Sequence, residues 1–211
     1  MVLQDIIWKF RDAVGWRYDR FMGWVDRRYL SHSPEWVRLI MDQETDRFVR
    51  SLNYRSLDAA EVSGLKWQHF GFASYKSLNY PDFDVCLPPP TGLPAFDIII
   101  IEQVLEHVYR PFRAVRTLHA MLRPGGWLIV TAPFLMRVHN TPVDCSRWTP
   151  LGLKYLLAEG GFSIDSIETG AWGNRYCARA SYRRIPRYIP ALHSLTNDPI
   201  YPLVVWAFAK K

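Results

Sequence analysis

Cysteine is scarce in this chain. Three are present, Cys86, Cys145 and Cys177, scattered and without a C-x-x-C pair, which argues against a disulfide framework and a cysteine-based zinc site and fits a reducing compartment. Long apolar runs are lacking too. None approaches the roughly 20 residues that cross a bilayer, and the opening MVLQDIIWKFRD acquires charge too early for a secretory signal. The expectation is a cytoplasmic protein. There is no internal repeat, and the triple proline Pro88-Pro89-Pro90 is the sole low-complexity stretch.

What is present is enough for one well-filled core. With 211 residues, 49% of them hydrophobic, the simplest count is one domain with appendages. A formal net charge of +6 is carried largely by arginine near both ends. That permits an anionic partner, whether a phosphate-bearing substrate, nucleic acid or a membrane surface, and equally a solvated basic surface with no partner.

Phe96 to Phe134, FDIIIIEQVLEHVYRPFRAVRTLHAMLRPGGWLIVTAPF, organises the rest. Ile98 to Ile101 form a β-branched run typical of a parallel strand covered on both faces. Val104, Leu105, Val108, Phe112, Val115, Leu118 and Leu122 recur at helical spacing, with Pro111 dividing a short first turn from a longer helix. Pro124-Gly125-Gly126 ends that helix, and Trp127 to Ala132 is the next strand of a βαβ unit with a right-handed crossover.

Before this unit, residues 1 to 32 place Trp8, Phe10, Trp16, Tyr18, Phe21, Trp24 and Tyr29 among Arg11, Arg17, Arg20, Arg27 and Arg28 at near-helical spacing. Such a helix packs on its own domain, caps a substrate cleft or lies on a membrane interface. Ser33-Pro34-Glu35 reads as the start of a second helix running to about Leu52, completing a helical N-terminal extension over residues 1–52. Ser56 to Val62 reads as the first strand, ending in Glu61-Val62-Ser63-Gly64 before a short helical piece, LKWQHFGF. A strand, a glycine turn and a helix suit a nucleotide-like cofactor, because a helix start offers unpaired N–H groups. Ser74 to Tyr80 is a second strand, followed by the loop LPPPTGLP.

Beyond Phe134, His139, Asp144 and Arg147 lie in a loop at the edge where open α/β sheets hold their ligands. Thr149-Pro150 starts a helix that Gly160-Gly161 stops. Phe162 to Ile167 reads as a strand, residues 171–197 as an irregular or helical insertion, and Tyr201 to Ala209 as the last strand.

FDIIIIEQVLEHV followed by LRPGG about 15 residues later, then APF, His139, Pro142, Asp144, Arg147, Trp148-Thr149 and LLAEGGF, resembles the S-adenosylmethionine-dependent methyltransferases of class I, in the broad group with V-L-E-H and L-R-P-G-G motifs. The resemblance covers roughly Ser56 to Gly170. It implies an α/β, Rossmann-like, seven-stranded and mostly parallel sheet with helices on both faces and an antiparallel last strand, occupying residues 53–211. By the same resemblance Glu61 is the acid ending the first strand, Ser63 and Gly64 pass beneath the methionine part of the cofactor, and Asn79 stands where an acid usually binds the ribose. Asp84 falls near the acid that receives the adenine amino group. Glu102 and Gln103 touch the cofactor after the strand Ile98 to Ile101. The family's E-x-G-x-G-x-G has become Glu61-Val62-Ser63-Gly64-Leu65-Lys66-Trp67, with an offset Gly64 alone, which narrows the space for backbone approach.

Methyl transfer is an in-line displacement at a sulfonium carbon, so the protein aligns donor with acceptor and takes a proton where the acceptor is a hydroxyl. His139 and His107 are the candidate bases, with Asp144 placed to orient His139; an Asp144–Arg147 pair that only pins the loop is the alternative. Some relatives bind a divalent metal through E-x-x-E-H and a later histidine. Here Gln103 replaces the first carboxylate, so no metal is expected; Glu106 and His107 with Asp144 or His139 form the alternative magnesium or zinc set. The expected acceptor is a small molecule, a sugar or a glycan. The competing classes are a binding protein of this fold without catalysis, and an RNA or membrane-surface binder using the arginine-rich ends.

Overall fold

The computed structural model describes residues 32–182 and 184–211, together with Gly15, Arg17, Arg20, Phe21, Gly23, Trp24, Val25, Arg28 and Leu30. Phe21 and Trp24 are helical, exposed and stacked with ring centroids 6.2 Å apart. The other aromatic positions named in that helix, Trp8, Phe10, Trp16, Tyr18 and Tyr29, with Arg11 and Arg27, lie outside the described residues.

Elements follow in the order α1 (Leu39–Ser51), β1 (Asp58–Val62), β2 (Ser74–Leu78), β3 (Phe96–Glu102), α2 (Pro111–Met121), β4 (Leu122–Pro133), α3 (Pro150–Glu159), β5 (Ile167–Trp172), α4 (Arg175–Ser181) and β6 (Val204–Lys210). They build a six-stranded sheet in the order β2-β1-β3-β4-β6-β5. β1 to β4 pair in parallel, and β6 runs antiparallel to both β4 and β5. The expected seventh strand is absent among the described residues. Pro81 to Ala95 joins β2 to β3 without a strand, and Pro88, Pro89 and Pro90 have no N–H to give a ladder. β2 is left as the edge, with three of its five side chains partly or fully covered.

The isoleucine run of β3 serves both faces, as successive side chains of a strand must. Ile99 and Ile101 pack with Leu128, Val130, Val205 and Ala207 under α2 and α3; Ile98 and Ile100 pack with Ile129, Trp206 and Phe208 under α1 and Cys177 of α4. Helices therefore cover both sides. Pro111 sits in the first turn of α2, and Thr149 caps α3 by accepting from Gly152 N at 3.0 Å. α3 lies so close to α2 that a Cβ on Gly160 would stand 2.1 Å from Val115 Cγ1.

Several boundaries differ from expectation. β4 begins at Leu122 and not at Trp127, so Pro124-Gly125-Gly126 lies within the strand and does not end the helix. α1 starts at Leu39 and not at Ser33, because residues 34–36 are drawn into the insertion: Trp36 N donates to Pro186 O at 2.9 Å and Tyr188 N to Pro34 O at 2.8 Å. LKWQHFGF forms turns rather than a helix; its first N–H groups are taken by Glu61. Phe162 is a buried plug followed by a 3-10 turn at Ile164–Ser166, so β5 begins at Ile167. The last strand begins at Val204. No helix among the described residues is long and apolar enough to cross a membrane.

Candidate functional site

The parallel strands β1 to β4 bring their C-terminal ends to one edge, and nearly all the candidate residues gather there in two adjoining groups. The first surrounds Glu61, which is 3% exposed at the end of β1. Its Oε1 accepts Lys66 N at 3.1 Å; its Oε2 accepts Trp67 N at 2.9 Å and the Tyr75 hydroxyl at 2.6 Å. Burial first, and this bond second, push the Tyr75 phenol up from its ordinary range. The carboxylate thus shapes the loop after β1 as a helix cap would. Gly64 is required by that closeness, since a Cβ there would lie 2.1 Å from Glu61 Oε1. Ser63 holds a left-handed φ of 57°. Asn79 is exposed and donates to Ser77 Oγ at 2.9 Å, and Ser77 in turn donates to Gly64 O at 2.6 Å. Asp84 stays within its own loop, accepting Cys86 N at 2.8 Å.

Glu102 closes this group. It pairs with Arg38, and Lys66 Nζ lies 2.9 Å from both of its oxygens. Lys66 also reaches Asp42 at 2.9 Å. Burial lowers the Lys66 pKa and the Asp42 pairing opposes that. Gln103 follows with a left-handed φ of 55°, its amide nitrogen donating to Thr131 Oγ1 at 3.2 Å. Arg38 and Lys66 were not legible as site residues; their convergence on Glu102 joins positions 38, 66 and 102, which no local motif connects.

The second group borders a cavity of about 250 Å³. Gln103, Glu106 and His107 line it from the end of β3, and Met136, Arg137 and His139 from the loop after β4. Glu35, Val37 and Arg38 form another wall with Ile185 of the insertion. That wall is braced from behind: Trp36 stacks on His193 at 3.9 Å and donates Nε1 to Ser194 O at 3.1 Å.

Within the cavity, the 3-10 turn Leu105–His107 buries Glu106 to 1% exposure. Neither of its carboxylate oxygens has a hydrogen-bond partner among the described residues. Burial lifts its pKa well above the ordinary carboxylate range, while His107 and Arg147 pull it back. His107 Nε2 stands 3.7 Å from Glu106 Oε1. Its Nδ1 is held by the Val143 carbonyl, an acceptor that places the proton on Nδ1 and leaves a lone pair on Nε2.

His139 meets His107 edge-on at 5.1 Å between ring centroids. Burial lowers its pKa, against the pull of Asp144, which favours the neutral imidazole. Its backbone N–H donates to Asp144 Oδ2 at 2.8 Å, whereas its Nδ1, 3.3 Å from the same oxygen, is out of line and unpartnered. Asp144 itself belongs to Arg147, which grips both of its oxygens and holds its carboxyl down at about 2. Asp144 is therefore a loop clamp that fixes His139 through the backbone. It also falls outside the metal set suggested from sequence: the ligand atoms that lie within 4.8 Å of one another belong to Glu106, His107 and His139.

Comparison with known proteins agrees with this architecture. The family described as "Methyltransferase domain" matches residues 16–167. No curated protein matches the chain. Among solved structures, a S-adenosylmethionine-dependent methyltransferase from Mesorhizobium loti is similar at a TM-score of 0.54 and 17% identity, covering 80% of this chain and 96% of that one. A second, from Archaeoglobus fulgidus, aligns at a TM-score of 0.50 and 12% identity over 80% of this chain and 94% of its own. Phosphoethanolamine N-methyltransferase 2 of Haemonchus contortus, solved with S-adenosyl-L-methionine, aligns at 0.53 and 11% identity over 81% of this chain and 52% of its length. At such identities these structures speak for the fold.

Proposed function

The chain belongs to the methyltransferase-domain family, and we propose that it moves a methyl group from S-adenosylmethionine to an oxygen of a small molecule, such as a sugar or glycan unit, seated in the cavity beside His107 and His139. The observation that carries this reading is the junction of the two groups. Arg38 lines the cavity and pairs with Glu102, and Gln103 lines the same cavity directly after it. A donor held at Glu102 and an acceptor held in the cavity would be neighbours.

The residues present fit such a donor. Glu102 already receives an alkylammonium from Lys66 at 2.9 Å, so its carboxylate suits the amino group of the cofactor's methionine part. Ser63 and Gly64 border that place from the loop after β1, and Asn79, Asp84 and Gln103 are the further candidates for the adenosine part. When bound, the cofactor supplies an electrophilic methyl on a sulfonium; the protein's own work is alignment and proton handling. The wall of Glu35, Val37 and Ile185 keeps water from the acceptor. His139, whose pKa burial lowers, and His107 through its free Nε2 receive the hydroxyl proton, and Asp144 with Arg147 keeps His139 in place.

Calorimetric titration of the full chain with S-adenosylmethionine and S-adenosylhomocysteine tests this. Saturable binding of both, weakened by Glu102→Gln, is expected. Absence of heat at millimolar concentrations would overturn the reading and favour a binding protein of this fold, for which the missing loop glycines are the motivating feature.

A further inference from the structure

We infer that Glu106, His107 and His139 form a binding site for a divalent transition cation of the zinc type at the floor of the cavity. Three observations converge on it. Glu106 is 1% exposed with both carboxylate oxygens unpartnered. An ionised carboxylate withdrawn from water without a donor is costly, and such groups are ordinarily paired or bound to metal. His139 Nδ1 is a second buried atom in the same place without a hydrogen bond among the described residues, 3.3 Å from Asp144 Oδ2. His107 is the third member, with Nε2 facing Glu106 Oε1 at 3.7 Å and Nδ1 held by a backbone carbonyl, the outer bond that orients a metal-binding imidazole.

The donor set selects the cation. Two imidazoles and one carboxylate suit zinc and its neighbours, whereas magnesium and calcium prefer oxygen alone. One ligand atom from each residue falls within 4.8 Å of the other two. Zn–N and Zn–O bonds near 2.0–2.1 Å put tetrahedral ligands about 3.4 Å apart, so rotation of the Glu106 side chain, whose oxygens no hydrogen bond ties among the described residues, closes the triangle on the two imidazoles. Three protein ligands leave a position open, as at catalytic zinc sites. Gln103, Arg38 and Met136 line the cavity beside these ligands. Asp144 does not close the set, because Arg147 holds it. The site itself stands on these contacts alone. Its role rests on the reading of the cavity given above: with the cation bound, the acceptor's oxygen would take the open position and lose its proton to water, and His107 and His139 would be ligands in place of bases.

The test is titration of the metal-stripped full chain with Zn2+ by calorimetry and with Co2+ by visible absorption. One equivalent should bind, with a Co2+ spectrum typical of low coordination number. Glu106→Gln and His139→Ala should each weaken binding by at least ~100-fold, beyond the 10–100-fold that loss of an outer partner costs. His69→Ala, at an exposed histidine outside the cavity lining, should leave it unchanged, and Mg2+ should give no signal. Circular dichroism and thermal melting of each variant confirm that it is folded. No binding of Zn2+ by the folded chain, or binding that Glu106→Gln leaves intact, would overturn the site. A parallel titration with S-adenosylhomocysteine separates this outcome from failure of the methyltransferase reading, because each ligand is measured without the other.

Discussion

Glu61 and Glu106 are both buried carboxylates at the same edge of the sheet, and their surroundings are opposite. Glu61 receives two backbone N–H groups and a tyrosine hydroxyl, and Glu102 nearby is held by Arg38 and Lys66. Glu106 receives nothing from the described residues. A buried acid with every lone pair employed is part of the scaffold, since removing it strands its donors. A buried acid with none employed adds nothing to folding, and what retains it is what it can bind. The loop after β1 is thus built by its acid, whereas the cavity floor is built around its acid.

The sharpest way to break this comparison is to delete Glu61. Glu61→Ala should lower stability by about 3–5 kcal/mol, as expected when a buried charged hydrogen-bonding group leaves its partners unpaired. Urea unfolding measures it, and a loss under ~1 kcal/mol would show that water replaces the carboxylate. A smaller effect is expected from Gly64→Ala. The new methyl, 2.1 Å from Glu61 Oε1, pushes an oxygen that is already engaged, at about 1–3 kcal/mol. The same unfolding curves report it, and Glu61→Ala combined with Gly64→Ala should cost less than the sum of the two. Least affected is Glu106→Gln, which should leave stability within about 1 kcal/mol of the parent, or raise it, because a neutral amide is cheaper to bury than an unpaired carboxylate. A loss as large as that of Glu61→Ala would place Glu106 in the scaffold and erase the distinction.

Much of the fold was legible because its signals are local. Four isoleucines in a row announce a strand covered on both faces, Pro111 and Thr149-Pro150 mark helix starts, and Gly160-Gly161 marks a stop. What failed was decided by remote partners. Ser33-Pro34-Glu35 has the chemistry of a helix start, yet Pro186 and Tyr188 compete for its backbone and win. LKWQHFGF has helical composition, but Glu61 claims its first N–H groups.

The candidate site divides along the same line. His107, His139, Glu106 and Asp144 stood out in sequence as residue types able to do chemistry, and three of them do meet in one cluster. Asp144 lies against His139 but is gripped by Arg147, a competition between a cation and an imidazole that composition cannot rank. Arg38, Lys66 and Ile185 carried no motif at all.

The sequence by itself determined the βαβ frame, the strand edge at which function gathers and the residue types available there, since these follow from periodicity, caps and turns within a few residues. Tertiary structure alone decided which acids are paired and which are not. Pairing depends on which donors lie within about 3 Å of a carboxylate, and residues as far apart in the chain as Arg38 and Glu102, or Lys66 and Glu102, reach that distance only once the sheet has closed the chain upon itself.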